Sequence, residues 1–598
     1  MCGIAGRVGV KAHEETEHWK KNLQHRGPDA WGEAELGKAH FLHTRLSIVA
    51  LDDGAQPFIT EDAMLIANGE IYNHQDLRTQ LIKNGADFKT QSDCEVLLWG
   101  LKFQGVEFLN QVQGMFALAY YQESTDTTIL ARDRFGQKPL YYHKKEEGLE
   151  FASELPALLT SGSKLKCRKN AVEHFLRYSF IPGNQTIFSN IYELKPGHSL
   201  IYSANSITEK EIQWKKNNNP TTLAKLFDDS VNKRLMADVP LGVFLSGGLD
   251  SMLIAASLKS QGLSPTCFSV SFGNKDFDEA SQAADICKHL NLEHKILNIE
   301  QNFFDEHDRL VSSFGQPFGD SSAMAVSAMC REAKQYIKVA LTGDGADEFF
   351  GGYRRYRTVS LMKQFGWVPK AIWSFTESIL NKMVTKDTYF ANSKLKTALY
   401  VSRLLGNTKP ENLLFPSPFS KSELNTLLGS HSEYSSPYKN TLSIRRMMDE
   451  DINFYLPSDI LVKADRASMR WGLEIRNPFL DTHLVDHSFE TEERQLISGA
   501  RQKIILRDLA KEHYNLPEDW IERKKHGFEL PITSIFLDNP NRTDNLAENL
   551  KDILNPDAVN KCIDSMQNTD SGFRVWLLYA VSKWLEDMKS RNIQIEWV

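Results

Sequence analysis

Val243-Phe244-Leu245-Ser246-Gly247-Gly248-Leu249-Asp250-Ser251 is the stretch that decides the fold of this 598-residue chain. An apolar run ends in glycines, serines and an aspartate, and Met252 to Lys259 continue as a helix-forming segment. The pattern predicts a strand that enters a tight loop and opens a helix. Glycines let backbone N–H groups approach an anion, Ser246 and Ser251 add hydroxyl donors, and a helix N-terminus favours negative charge. Asp250 is then placed to hold a magnesium ion beside a phosphate. The spacing is neither that of the Walker loop nor that of a dinucleotide fingerprint. A plain Gly-Gly turn reads the same in isolation, so the surrounding chain must decide.

Working outward, Thr221 to Ala237 and Asp278 to Leu290 have helical patterns. Leu241 to Leu245, Thr266 to Phe272, Glu293 to Ile299 and Ile337 to Leu341 are short apolar strands between helical stretches. That alternation predicts a parallel α/β sheet, whose ligands bind at the carboxyl ends of strands. A second loop sits at such an end, Thr342-Gly343-Asp344-Gly345-Ala346-Asp347-Glu348-Phe349-Phe350-Gly351-Gly352-Tyr353. It lacks the alternating ligand register of a calcium loop. Asp250 and Asp347 facing each other across strand ends are better suited to magnesium on a triphosphate. Further on, Leu461 to Met469 and Glu474 to Asp481 read as charges on a helix-rich scaffold, and Arg523 to Phe528 as a basic loop suited to a departing pyrophosphate.

Composition excludes several classes. Lys plus Arg number 70 against 77 Asp plus Glu, a net charge of -7 without long runs of one sign, so nucleic acid is not an expected partner. There is no apolar run near membrane-spanning length and no basic-then-apolar leader, so neither a membrane nor export is expected. The seven cysteines are scattered singly, which points to a reducing cytoplasm and away from structural zinc. Ser203 to Pro220 has the composition of a connector after a last strand near Lys195 to Ile201. Domains are therefore expected at 2–210 and 220–598.

The amino terminus carries a second chemistry. Met1-Cys2-Gly3-Ile4 leaves cysteine first once the initiator methionine is removed, and an α-amine of pKa about 8 can then serve as base for its own thiol. A small buried hydrophobe is the ordinary fate of a lone cysteine. The residues downstream of it suit amide hydrolysis: Arg45 can grip an α-carboxylate, Asp93 an α-ammonium, and the Asn68 side chain with the Gly69 N–H an oxyanion. Each is ordinary alone, and only a fold that gathers them gives them a role.

Cys2 to Ile4, His25 to Asp29, Arg45 to Val49, Asn68 to Asn73 and Ala131 to Gly136 resemble the class II glutamine amidotransferase domain. The resemblance implies an α+β N-terminal nucleophile hydrolase of layered αββα form. It makes Cys2 the nucleophile, with Arg45, Ile48, Val49, Asn68, Gly69, Glu70 and Asp93 around glutamine. The second half resembles the ATP-pyrophosphatase-type synthetase domain of the glutamine-hydrolysing asparagine synthetases, an α/β parallel-sheet adenine-nucleotide-binding fold with a helical C-terminal part. That implies ATP contacts from Leu245, Ser246, Gly247, Gly248, Asp250, Ser251, Val270, Thr342 and Gly343. It further implies Mg2+ on Asp250 and Asp347, pyrophosphate on Lys525, and Asp344 as base on the attacking ammonia. Glutamine would be hydrolysed, an acceptor carboxylate adenylated, and channelled ammonia would displace AMP.

Two departures bear on the acceptor. Asp344 stands where enteric and plant-type enzymes have glutamate, and Met324 where they have arginine. Aspartate is the leading acceptor, and another carboxylate, such as a sugar acid or a natural-product precursor, is the alternative. The β-lactam-forming relatives, which do not use glutamine, fit poorly. A homodimer is the family habit. Trp367, Trp373 and Tyr400 in the helical-looking 360–441 region, and an amphipathic last helix with Val575, Leu578, Val581 and Leu585 on one face, are expected to serve packing.

Overall fold

The computed structural model describes residues 2–9, 15–216, 221–271, 280–299, 303–365, 367–383, 401–402, 417–429, 443–523, 531–566 and 571–598. Its amino-terminal half stacks two antiparallel sheets. One runs Ile191–Glu193, Tyr141–Lys145, Gly148–Ala152, Cys2–Val8, Ala39–Arg45, Ala30–Leu36. The other runs Ser206–Glu211, His198–Ser203, Thr127–Arg132, Gly114–Gln122, Ala63–Ile71, Phe58–Ile59.

Alternate residues of a strand face opposite sides. Ile4 and Val8 therefore meet Met64, Ile66, Ala117 and Ala119 between the sheets, while Ala5 and Leu42 face Trp19 and Leu23 outside. Leu65 and Ala67 turn likewise to Leu77, Leu81 and Leu97, on helices His74–Lys83 and Glu95–Gln104. Both sheets are apolar on both faces, so helices must cover the outer ones, and the αββα layering results. The last strand of the sandwich is Ser206–Glu211, a segment whose composition reads as connector. It is an edge strand, and its charged residues, which keep an edge from pairing further, are what hid it.

The second half holds a parallel sheet in the order His294–Asn298, Thr266–Ser271, Leu241–Phe244, Val339–Leu341, Glu474–Arg476. Four of these strands match the sequence reading within about two residues. The fifth does not, because Glu474-Ile475-Arg476 is too short and too charged to show a strand pattern. Its conformation comes from pairing with Val339, Ala340 and Leu341. Helices Leu249–Ser260 and Ala280–Leu290 alternate with the strands as expected.

The halves share a core. Leu23, Phe175 and Cys167 of the sandwich join Phe304, Trp576 and Trp584 in one apolar cluster. Helix Gly572–Ser590 is buried nearly all round, with Trp576, Leu577 and Trp584 enclosed as fully as Val575, Leu578 and Val581. After it, Gln594–Trp597 pairs in parallel with Lys164–Cys167 of the first half. Trp367 does not pack as expected: it is 81% exposed in a turn ahead of helix Lys370–Met383, whereas Trp373 packs against the second core. Tyr400 lies outside the described residues. Among the described residues, no helix is long and apolar enough to cross a membrane.

Candidate active site

Cys2 opens a central strand of the first sheet and pairs with Arg45, while Asn68 and Gly69 lie on the facing sheet. The Cys2 main-chain N–H donates to Asn68 Oδ1 at 2.9 Å. That bond fixes the amide orientation and leaves Asn68 Nδ2 buried without a hydrogen-bond partner in the protein. An unpartnered buried donor is costly, and beside a thiol it is an oxyanion donor in waiting. Only glycine fits at 69, because a Cβ there would stand 2.1 Å from the Met115 carbonyl oxygen. Burial pushes the Cys2 thiol above its ordinary value, with the Leu46 N–H and Arg45 acting the other way. The thiol must therefore hand its proton to a base before it attacks.

The walls of this pocket are only partly as the residue types suggest. Arg45 donates to the carbonyls of Val49, Ala50 and Leu51 at 3.3, 2.5 and 3.2 Å, so three of its bonds shape the loop that carries Ile48 and Val49. Asp93 accepts from the Ile71 N–H at 2.6 Å, and burial raises its carboxyl. Glu70 is buried and lies 3.2 Å from Arg476 of the second half. Burial raises the Glu70 carboxyl in spite of that guanidinium.

The second half also grips the loop. Ala50 N–H donates to Asp238 Oδ2 at 2.9 Å and Asp238 N–H to the Ile48 carbonyl at 2.8 Å. Ile48 and Val49 pack on Val339 and Leu241, the first residues of two parallel strands. The glutamine-type site thus lies at the amino ends of the parallel sheet, and the phosphate-type loops lie at its carboxyl ends. Strand Glu474–Arg476 runs between the two. Burial would raise the Glu474 carboxyl, yet nearby positive charge, that of Arg476 and Lys138 included, holds it below the ordinary range. Two residues on, Arg476 reaches Glu70, and Asn477 Oδ1 then accepts from Thr342 Oγ1 at 2.5 Å. A cavity lined by Tyr141, Glu193, Phe318, Ser458, Val462 and Arg466 lies between the halves.

At the carboxyl ends, Leu245 N–H donates to the Phe268 carbonyl at 2.8 Å, and Ser246 N–H to Ser251 Oγ at 3.2 Å. Gly247 has φ +73°, a conformation that glycine adopts without strain, and Gly248 precedes helix Leu249–Ser260. Val270 lies on the adjoining strand. Thr342 and Gly343 come so near that a Cβ on Gly343 would stand 2.8 Å from Asp250 Cβ. Asp344 Oδ2 accepts from Thr342 Oγ1 at 2.9 Å. The two carboxylates expected to share magnesium do share a cation, Lys503, whose Nζ lies 2.6 Å from Asp250 Oδ1 and 2.5 Å from Asp347 Oδ1. Nothing local in the chain signals this, since Lys503 stands before the apolar run Ile504-Ile505-Leu506 like any lysine at a helix start. Lys525 lies outside the described residues.

Gly352 is tied to the same cluster, because a Cβ there would fall 1.7 Å from Asp347 Oδ1 and 2.3 Å from Lys503 Cε. Gly352→Ala is expected to displace Asp347 and lower ATP-dependent AMP formation by about 10²-fold, with glutamine hydrolysis unchanged. Parallel assays of the two half-reactions check this, and equal rates to the parent in both would refute it.

Beside these loops, Asp320 accepts from Ser322 N–H and Oγ at 2.9 and 2.8 Å and from Lys463 Nζ at 2.7 Å. Burial, with Asp320 adding to it, pushes the Asp459 carboxyl up to about 8. Met324 is enclosed in the shared core, and a cation of this region, half-buried Lys463, is held by Asp320.

Fold and site together define a two-part amidotransferase: an N-terminal nucleophile hydrolase glutaminase layer followed by a parallel-sheet synthetase. The chain belongs to the asparagine synthase family, whose model matches residues 222–586, and the glutamine amidotransferase domain model matches residues 1–214. It is similar to asparagine synthetase [glutamine-hydrolyzing] 1 of Bacillus subtilis, with 31% identity over 89% of this chain and 87% of that protein. Asparagine synthetase [glutamine-hydrolyzing] 3 of the same organism is 29% identical over 92% and 90%. Amidase chry2 of Gibberella zeae is 27% identical over 86% of each.

Proposed function

We propose that the protein makes asparagine from aspartate, with glutamine as nitrogen donor and ATP split to AMP and diphosphate. In this reading the Cys2 thiol loses its proton to the chain's own α-amine, freed by removal of Met1, and attacks the glutamine side-chain amide. Asn68 Nδ2 and the Gly69 N–H stabilise the oxyanion, ammonia leaves, and water later releases glutamate from the thioester. Arg45, Ile48, Val49, Glu70 and Asp93 orient the glutamine. Ammonia passes between the halves, where the small cavity beside Arg466 lies, shielded from water and so kept unprotonated.

There the Leu245 to Ser251 loop, Val270, Thr342 and Gly343 hold ATP. Asp250 and Asp347, close enough to share one cation, are a donor set that suits Mg2+, an ion bound through one or two carboxylates and substrate phosphates. Bound there, the ion would neutralise charge on the phosphates. Lys525 receives the pyrophosphate, and Asp344 takes the proton from ammonia as it attacks the acyl adenylate. The observation that carries aspartate as acceptor is Lys463, a half-buried cation flanked by Asp320 and Asp459 beside the Asp344 loop. An acceptor with a second carboxylate and an ammonium suits that triad, and a sugar acid with a single carboxylate and no ammonium does not.

The test is AMP formation with glutamine, ATP and magnesium, with and without L-aspartate, and the amide identified by mass. Aspartate-dependent AMP matched by asparagine is expected. Steady glutamine hydrolysis without aspartate-dependent AMP rejects aspartate and directs attention to other carboxylic acids.

A further inference from the structure

Among the contacts that the second half makes with the glutamine-type site, one reaches the cysteine through an arginine of the first half. Arg26, wholly buried, donates through Nε to the Cys2 carbonyl oxygen at 3.1 Å. Its Nη1 and Nη2 donate to Asp465 Oδ2 and Oδ1 at 2.8 and 2.9 Å, and Nη1 also to Glu154 Oε1 at 2.6 Å. Asp465 stands 439 residues away in sequence, on helix Leu461–Met469 of the synthetase half. Both edges of the guanidinium plane are therefore committed. A bidentate fork fixes orientation as well as charge.

The Cys2 main chain is held on both sides, by Asn68 Oδ1 at its N–H and by Arg26 at its carbonyl. The next strand residues are fixed from the first half alone, with Ile4 N–H on Ser153 Oγ at 3.0 Å and Ser153 N–H on the Ile4 carbonyl at 2.8 Å. The cluster sets Arg26 and Arg466 against Glu154 and Asp465, all of them buried, and His25 Nε2 also lies 3.0 Å from Glu154 Oε2. Burial would raise the Asp465 carboxyl, but Arg26 and Arg466 hold it below the ordinary range, so it accepts both arms of the fork as a carboxylate.

We propose that Asp465 is a positioning residue for glutamine hydrolysis. Acting through Arg26, a carboxylate of the synthetase half sets where the Cys2 main chain lies, and so where its thiol stands relative to Asn68 Nδ2 and the Gly69 N–H. Glutamine hydrolysis then belongs to the assembled chain and not to the first half alone. Two residues before Asp465 on the same helix, Lys463 holds Asp320, and a π-helical turn, Leu456–Ile460, leads into that helix. The helix that positions the thiol is thus the one that carries Lys463, the half-buried cation held by Asp320. The inference rests on Cys2 as the nucleophile.

The experiment uses the full-length protein and three readouts: kcat and KM for glutamine hydrolysis, ammonia-dependent AMP formation, and thermal midpoint. Asp465→Asn keeps the shape of the side chain and removes its charge. It is expected to lower kcat for glutamine by roughly 30- to 100-fold, with KM and ammonia-dependent AMP formation within about threefold of the parent. Arg26→Lys keeps the charge and loses the fork, so it is expected to lose kcat similarly, and the double variant to be no worse than the weaker single one. Unchanged glutamine kcat in a folded Asp465→Asn protein overturns the proposal. So does a parallel fall of all activities with thermal midpoint, which marks a merely structural ion cluster. If Asp465→Asn does not fold, Arg26→Lys decides by the same split. Glutamine hydrolysis surviving in Cys2→Ala would instead reject the nucleophile itself.

Discussion

Cys2→Ala is expected to lower glutamine-dependent amide synthesis by on the order of 10⁴-fold or more, the scale seen when an enzymatic nucleophile is deleted. Ammonia-dependent AMP formation should stay near the parental rate. The argument is geometric. Cys2 is bonded across the sandwich to Asn68, beside Gly69, at the amino ends of the parallel sheet, whereas Asp250, Gly343 and Lys503 meet at its carboxyl ends. Removing one thiol deletes the first chemistry and leaves the second with its ligands. Supplying ammonium chloride in place of glutamine reads the second site alone. A variant that lost both donors equally would place Cys2 in a common structural element and contradict a two-site mechanism.

How much of this was legible in the chain depends on how local each signal is. The Ser246 to Ser251 loop and the acidic loop after Leu341 are contiguous, so glycine, hydroxyl and carboxylate chemistry was readable at the right strand ends. Cys2, Asn68 and Gly69 were nameable because each chemistry is carried by one residue type. The contributions that stayed hidden are made between the halves. Glu474–Arg476 becomes a strand only by pairing with Val339–Leu341, and its charges are tolerated because Arg476 finds Glu70 as well as Glu474. Asp238 and Asp465 look like ordinary surface charges, yet Asp465 is buried on Arg26 and Asp238 accepts from the Ala50 N–H, both residues of the other half. Arg45 looked like a simple carboxylate clamp, yet three of its bonds go to the carbonyls of its own loop. A charged residue with a distant partner leaves no periodic trace.

Lys503 is the clearest of these, and its loss is the second large effect expected. Lys503→Met keeps the length of the side chain and leaves Asp250 and Asp347 facing each other without the ammonium between them. Breaking a buried ion pair by removing one partner costs about 3–5 kcal/mol, so the thermal midpoint should fall by several degrees. AMP formation should fall by roughly 10²- to 10³-fold, the usual loss when a charged group in the reacting site is deleted, while glutamine hydrolysis persists. Magnesium separates the two roles of this lysine. If Lys503 also meets the phosphates, raising magnesium should restore stability by binding the freed carboxylates and still leave AMP formation depressed. Full recovery of the rate with magnesium would reduce Lys503 to a counter-ion that the metal replaces. The expected split would give the site two cations with different tasks, a metal that Asp250 and Asp347 would hold to neutralise phosphate charge, and the Lys503 ammonium.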